Sequence, residues 1–495
     1  MTIPSIIYGL FLLSVVGLYW ALEQRSLRIW LLLIASLVFY ISLQAHYVPL
    51  IVVLVGLNFW LGKVLTMPAD WRVPNEQWQM AEQRWHRRRR SWLVLGIGLN
   101  VILLLGFKYI DTWLRWLLPS GLDAGTLEEG WLAIAFPLGL SFFTFECIAY
   151  LVDVYRGAPA TSNLPEFAAY KLFFPKLISG PITRFHSFAN QLTSKPNMDW
   201  NWVVEGLWLI SIGAIKKLLI ADHIAILVNL SLDNLERVGS GDFWLAIFAY
   251  GLQLYLDFSG YVDIARGSAL LMGINLPQNF NFPYLTTNIA EFWRRWHMTL
   301  GDWLRNYLYF PLGGSRQGLI RTAINLMIVM LIAGIWHGNT WGFLIWGGIH
   351  GLALVVHRVN DVMAKGWKPL RTLWNHPLGI LLAWGLTQFL VFFSWIFFRL
   401  PEPQQFMLAL QKLWGANSDV QFAQKVYVDS LGLTAPQLWS LLWALVGVMV
   451  VTHFIQRGLK LQLNWPVKLL LVPLCLFAAW QLAPTETLSY IYFDF

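Results

Sequence analysis

The sequence predicts an all-α polytopic membrane protein, and three observations carry that prediction. Of 495 residues, 57% are hydrophobic and only 13% charged. Soluble proteins carry roughly a quarter charged residues, so this chain has too little polar surface to cover a globule. Its mean hydropathy is +0.54. Runs such as "IPSIIYGLFLLSVVGLYWAL" and "WLVLGIGLNVILLLGFKYI" reach the ~20 residues that cross a ~30 Å hydrocarbon layer.

The first span is read at residues 3–22, because the N-terminus lacks a basic n-region and its apolar run outlasts a signal peptide. Loop charges then give an orientation. "EQRSLR" carries Arg25 and Arg28, and a second loop carries Arg72, Arg84 and the run Arg87 to Arg90. The opposite connectors, "LQAHYVP" and "PSGLDAGTLEEG", hold no Lys or Arg. The positive-inside rule therefore puts the arginine loops in the cytoplasm and the N-terminus outside. The net charge of +8 reports orientation and lipid contact here rather than nucleic-acid binding.

The middle of the chain breaks this regular pattern. Residues 153–200 mix charge with apolar runs, and Pro175, Gly180 and Pro181 interrupt them, which suggests interfacial or re-entrant pieces. Residues 257–321 resemble them, with Asp257, Asp263, Arg266, Glu291, Arg294, Arg295, His297, Asp302 and Arg305 among their charges. Polar irregular backbone near a membrane is tolerated only inside protein or along a watery cavity, so a funnel or pocket is expected there. Apolar segments resume near 322–336, 340–357, 377–398, 436–455 and 466–484, with a polar insert at 400–430. The whole amounts to about 10–12 transmembrane or re-entrant helices at ~20 residues each. The 29 tryptophans exceed what interface belts need, so some should line helix contacts or a cavity. Cys147 and Cys475 lie in apolar runs and read as small core residues.

The phosphate loop, the G-x-S-x-G elbow and the H-E-x-x-H metal helix are all missing. That argues against ATP-driven transport, serine hydrolysis and zinc chemistry, and no metal site is expected. Histidine remains. His86 belongs to the arginine loop, and His46, His376 and His453 sit at span ends as anchors. His350 follows His337 by 13 residues, about 220° around a continuous helix, so it would not share a face with it. His350 and His357 read as packing or headgroup contacts.

His297 lies in "EFWRRWHMTLGDWLRNYLYFPLGG". On one helix, Arg294, His297, Gly301 and Arg305 would share a face. That face either snorkels its arginines to headgroups or grips an anion through guanidinium forks beside an imidazole. Asp302 completes an H-x-x-x-x-D pattern, but about 140° of helical rotation separates it from His297 unless the helix breaks at Gly301. His337, in "LIAGIWHGNTWGFLIWGG", is an ionisable residue inside an apolar run and a functional-site hypothesis by default. A desolvated neutral imidazole can take a proton from an alcohol. Gly334 and Gly338 would give a substrate clearance, with Asn339 as hydrogen-bond donor and Trp336 beside the ring. The plain alternative is a buried histidine bonded to a neighbouring carbonyl. Composition alone would favour a transporter or channel lined by His and Arg, although that class carries two-half symmetry, which this chain does not display.

Taken together, "YLDFSGYVDIARGSALLMGINLPQNFNFPYL", "EFWRRWHMTLGDWLRNYLYFPLGG", "AGIWHGNTWGFLIWGGIHG", "FFPKLISGPITRF" and "VFFSWIFFR" resemble the membrane-bound O-acyltransferase family. They lie closest to its alginate O-acetyltransferase-like branch and are also similar to the teichoic acid D-alanyl transferases. The resemblance implies a ring of helices around a thin centre pierced by a tunnel. Within it, residues 1–130 are N-terminal helices, 131–400 a catalytic core and 401–495 C-terminal helices. It implies His337 as catalytic and His297 as the second family position, and it makes Arg294, Arg295 and Arg305 candidates for donor phosphate contacts. The donor would be acetyl-CoA or another acyl thioester, as substrate and not as bound cofactor. The acceptor would be a periplasmic acetyltransferase partner or the polysaccharide itself, at a bacterial inner membrane. D-alanyl transfer from a carrier protein is the second reading.

Overall fold

The computed structural model describes residue 3 and residues 5–67, 77–117, 136–193, 198–484 and 490, with backbone alone for 111–117 and 193. Arg72 and the acidic connector 119–130, both used above for orientation, lie outside the described residues. Among the described residues the regular elements are helices and no strand occurs. Six stretches of the described residues are long and apolar enough to cross a membrane: Arg25–Leu65, Trp78–Ile110, Gly318–His337, Trp341–Gly366, Pro377–Arg399 and Ala435–Gly458. Ile6–Ala21 and Trp465–Gln481 are shorter apolar helices. The chain is an all-α polytopic membrane protein. Outward side chains such as Ile320, Leu378 and Leu470 are large, apolar and exposed, as a surface facing hydrocarbon permits.

The chain packs as two compact units. The first comprises residues 1–207 with 264–277. It contains α1 (Ile6–Ala21), α2 (Arg25–Gln44), α3 (Val48–Leu65), α4 (Trp78–Leu117), α5 (Leu140–Tyr155), α6 (Leu164–Leu172) and α7 (Phe185–Thr193). The arginine run is helical rather than a loop, because α4 already begins at Trp78. Arg89 donates to the carbonyls of Leu65 and Tyr155 at 2.9 and 2.8 Å and so ties α4 to its neighbours.

The broken segment after α6 is buried from Glu166 to Thr183, not interfacial. Its polar groups find partners inside the protein. Glu146 on α5 accepts from Lys176 Nζ at 2.5 and 2.7 Å, from Lys171 Nζ at 3.3 Å, and from the amide and hydroxyl of Thr183 at 3.0 and 2.9 Å. A buried carboxylate is tolerated only when paired and hydrogen-bonded, and this one is saturated. Glu146 therefore explains how irregular chain can lie within the unit.

The second unit comprises residues 208–263 and 278–495. It receives the end of α8 (Trp200–Ala214), then α9 (Asp222–Leu232) and most of α10 (Ser240–Leu270). Next come α11 (Ile289–Arg295), α12 (Met298–Leu304), α13 (Gly318–His337), α14 (Trp341–Gly366), α15 (Lys368–Asn375) and α16 (Pro377–Arg399). The last helices are α17 (Pro403–Gln411), α18 (Val420–Ala423), α19 (Ala435–His453) and α20 (Trp465–Gln481). Lys217 bridges Asp222 and Asp257 at 2.8 and 2.6 Å, so the carboxylates of α9 and α10 are held through one ammonium. Small residues let α13 and α14 approach closely, as in other membrane helix pairs. A Cβ on Gly334 would lie 2.4 Å from the Phe343 carbonyl oxygen, and one on Gly347 would lie 2.5 Å from that of Met330.

Candidate active site

The "FWRRWHM" stretch is not one helix. α11 opens on Asn288, whose side chain accepts from the Glu291 amide, and ends at Arg295. α12 starts at Met298. Between them Trp296 is extended and His297 is left-handed, with φ 44° and ψ 54°. The cause is the neighbouring segment "NFN". The Asn281 amide donates to the Arg295 carbonyl at 3.0 Å, and the Met298 amide donates to the Asn279 carbonyl at 2.9 Å. These bonds replace the helical ones that would have continued through His297. A left-handed histidine costs roughly 1–3 kcal/mol and persists only where its surroundings over-determine it.

The break separates the residues that an unbroken helix would have aligned. His297 and Gly301 line a cavity. Arg294 is exposed, Arg295 pairs with Glu291, and Arg305 pairs with Asp302. Arg294 instead lies within electrostatic reach of His357 on α14. Asp302 engages Arg305 rather than orienting His297.

His337 is the last residue of α13 and is buried. Its ring lies among aromatics: Trp336 at 4.4 Å, Phe398 at 4.8 Å, Trp346 edge-on at 5.1 Å and Phe343 at 6.1 Å between centroids. Gly338 then runs extended and Asn339 lies exposed in the turn before α14. The expected clearance at the glycines is already filled. A Cβ on Gly338 would meet the Phe343 ring at 2.5 Å, and Gly334 packs on α14. These glycines serve helix contact, not substrate entry. Because α13 stops at His337, the helical count to His350 does not apply. His350 is fully buried behind Trp346, with Nε2 2.8 Å from the Ser394 hydroxyl, so it is packing and not a headgroup contact.

His297 and His337 line the same cavity, which measures about 30 Å³. Trp293, Trp296, Trp346 and Trp395 wall it, so some of the many tryptophans do line a cavity. Phe398, Met330 and Leu254 complete most of the rest. Trp336 touches the His337 ring but is not part of the wall, and neither are Arg294, Arg295, Arg305 or Asn339. The site thus gathers two imidazoles in an apolar chamber, an arrangement able to take up and release a proton away from bulk water. Sequence reasoning passed over Phe398, Trp346 and Asn279. The first two read as span residues, and Asn279 carried no signal beyond its place in "NFNFPY".

Comparison with known proteins gives the family. The membrane-bound O-acyltransferase family matches residues 71–394. A probable alginate O-acetylase of Pseudomonas aeruginosa is 38% identical over 395 residues, covering 79% of this chain and 70% of that one. A peptidoglycan O-acetyltransferase of Helicobacter pylori is 34% identical over 420 residues, covering 79% and 74%. A teichoic acid D-alanyltransferase of Streptococcus thermophilus is 30% identical over 280 residues, covering 52% and 68%. With most of its length matched, and two histidines facing one buried chamber, this acyltransferase belongs to the membrane-bound O-acyltransferase family.

Proposed function

We propose that the protein moves an acetyl group from a cytoplasmic thioester, acetyl-CoA, to an extracytoplasmic hydroxyl, for O-acetylation of an alginate-like exopolysaccharide. The observation that carries this reading is the shared cavity of His297 and His337. Its volume of about 30 Å³ is room for one or two waters, beside the two imidazoles. The names of the relatives, alginate O-acetylase and peptidoglycan O-acetyltransferase, support the same substrate class.

In this reading His337 takes the proton of the acceptor hydroxyl while its oxygen attacks the thioester carbonyl carbon. The C–S bond breaks, and the thiolate leaves with the proton that His337 returns. General-base help of this kind contributes roughly 10²–10⁴ in rate. His297 holds the acceptor or the carbonyl. Arg294, with His357 in electrostatic reach, Arg295 and Arg305 are the cations offered to donor phosphates. Lys365, Lys368 and Arg371 gather at the far end of α14 from His337, which supports a cytoplasmic position for that end. The membrane is the bacterial inner membrane, the N-terminus lies outside, and a periplasmic acetyltransferase or the polymer receives the acetyl group.

The test is acetyl incorporation into polymer by a His337→Ala variant that inserts at the normal level. Wild-type incorporation by that variant would remove His337 from the chemistry. Parallel assays with acetyl-CoA and with a D-alanyl carrier protein separate acetylation from alanylation.

A further inference from the structure

The structure assigns Asn279 as the residue that sets the tautomer of His297, and with it the role of that ring as a hydrogen-bond acceptor rather than a donor. The assignment deepens the proposed function, since it rests on His297 standing beside the reacting hydroxyl.

Asn279 is fully buried, and its side-chain oxygen meets three groups. The Thr299 amide lies at 3.0 Å, the Thr299 hydroxyl at 2.9 Å and His297 Nδ1 at 3.2 Å. A backbone amide can only donate, so the Asn279 atom facing it is the carbonyl oxygen and not the NH2 group. That oxygen can only accept, so His297 Nδ1 carries the hydrogen. In the neutral ring the lone pair then belongs to Nε2.

The backbone enforces the same contact. The Asn279 carbonyl accepts from the Met298 amide at 2.9 Å. Main chain and side chain of one residue therefore grip residues 297–299 around a histidine held at φ 44°. The Phe258 ring, edge-on at 4.8 Å, closes another side of the imidazole. Strained backbone, a saturated buried acceptor and an aromatic stop leave the ring little freedom to turn over.

The chemical consequence separates the two roles left open for His297. A ring with hydrogen on Nε2 would polarise the thioester carbonyl by donating to it. A ring with its lone pair on Nε2 instead accepts a hydrogen bond from the acceptor sugar and orients its reacting oxygen, whose proton goes to His337. No covalent bond to His297 forms or breaks.

The full-length protein, 15N-labelled at histidine in lipid nanodiscs, tests this through the Nδ1 and Nε2 shifts of His297, assigned by difference against His297→Gln. The expected result is an Nδ1–H tautomer in wild type and in Asn279→Asp, which keeps an acceptor oxygen. Asn279→Leu should give mixed or inverted tautomers. Losing the correct tautomer can cost up to ~10⁴ in kcat, and a loss of about 10² with KM within threefold is expected for Asn279→Leu. Asn279→Asp should keep most activity and move the acidic limb of the pH profile upward, because a carboxylate favours the imidazolium. An Nε2–H ring in wild type, or an unchanged tautomer in Asn279→Leu, overturns the assignment. If Asn279→Leu fails to insert, the wild-type and Asn279→Asp shifts still decide. Full activity in His297→Gln would instead strike the proposed function, and the nitrogen shifts would still report on Asn279.

Discussion

The two histidines of one cavity are held by opposite means. His337 ends a long apolar helix and is gripped by rings, with Phe398 and Trp346 at 4.8 and 5.1 Å. His297 sits in a break between two seven-residue helices and is held by the hydrogen bond its Nδ1 donates to the Asn279 oxygen. Aromatic packing fixes where a ring lies without dictating which nitrogen holds the hydrogen. An amide oxygen dictates the nitrogen. The difference suits a division of labour in which His337 cycles a proton and His297 keeps one protonation pattern throughout.

The largest expected effect breaks the comparison at its aromatic end. His337→Ala should lower acetyl transfer by at least ~10³, read as acetyl release from acetyl-CoA onto acceptor at normal membrane levels. Activity within tenfold of wild type would contradict a proton-cycling role. His297→Gln should cost about 10²-fold, since glutamine offers an acceptor oxygen but no imidazole. A loss equal to that of His337→Ala would mean that the two rings share the proton transfer.

A smaller effect sharpens the aromatic side. Phe398→Ala enlarges the chamber beside His337, so the ratio of butyryl to acetyl transfer should rise about 10-fold, the scale at which pockets count methylenes. An unchanged ratio would show that chain length is read elsewhere. The smallest effect on chemistry is expected at Gly334→Val, where the added side chain meets the Phe343 carbonyl. Overpacking of this kind costs about 1–3 kcal/mol, visible as a lower thermal midpoint in detergent before any change in KM.

Much of this was legible in the chain because hydrocarbon is an unforgiving solvent. Twenty-residue apolar runs must be helices, since only helices satisfy their own backbone there, and the observed elements follow. His337 stood out because an imidazole inside such a run is costly. Its partners did not stand out, because Trp346 and Phe398 lie in other spans and look like ordinary apolar residues. The arginine face failed for a local reason. Helical spacing assumes a continuous helix, and the Asn281 and Met298 hydrogen bonds interrupt it at His297.

Composition and apolar run length by themselves determined that this is a helical membrane protein, and its motifs identified both histidines and the family. Only the tertiary structure decided that Gly334 and Gly338 serve helix packing, that Glu146 neutralises a buried irregular segment, and that Asn279 reaches His297. Each of these depends on contacts between residues distant in sequence or across a break in regular structure. Periodicity reports which face of an element a residue occupies, and not what another element brings to meet it.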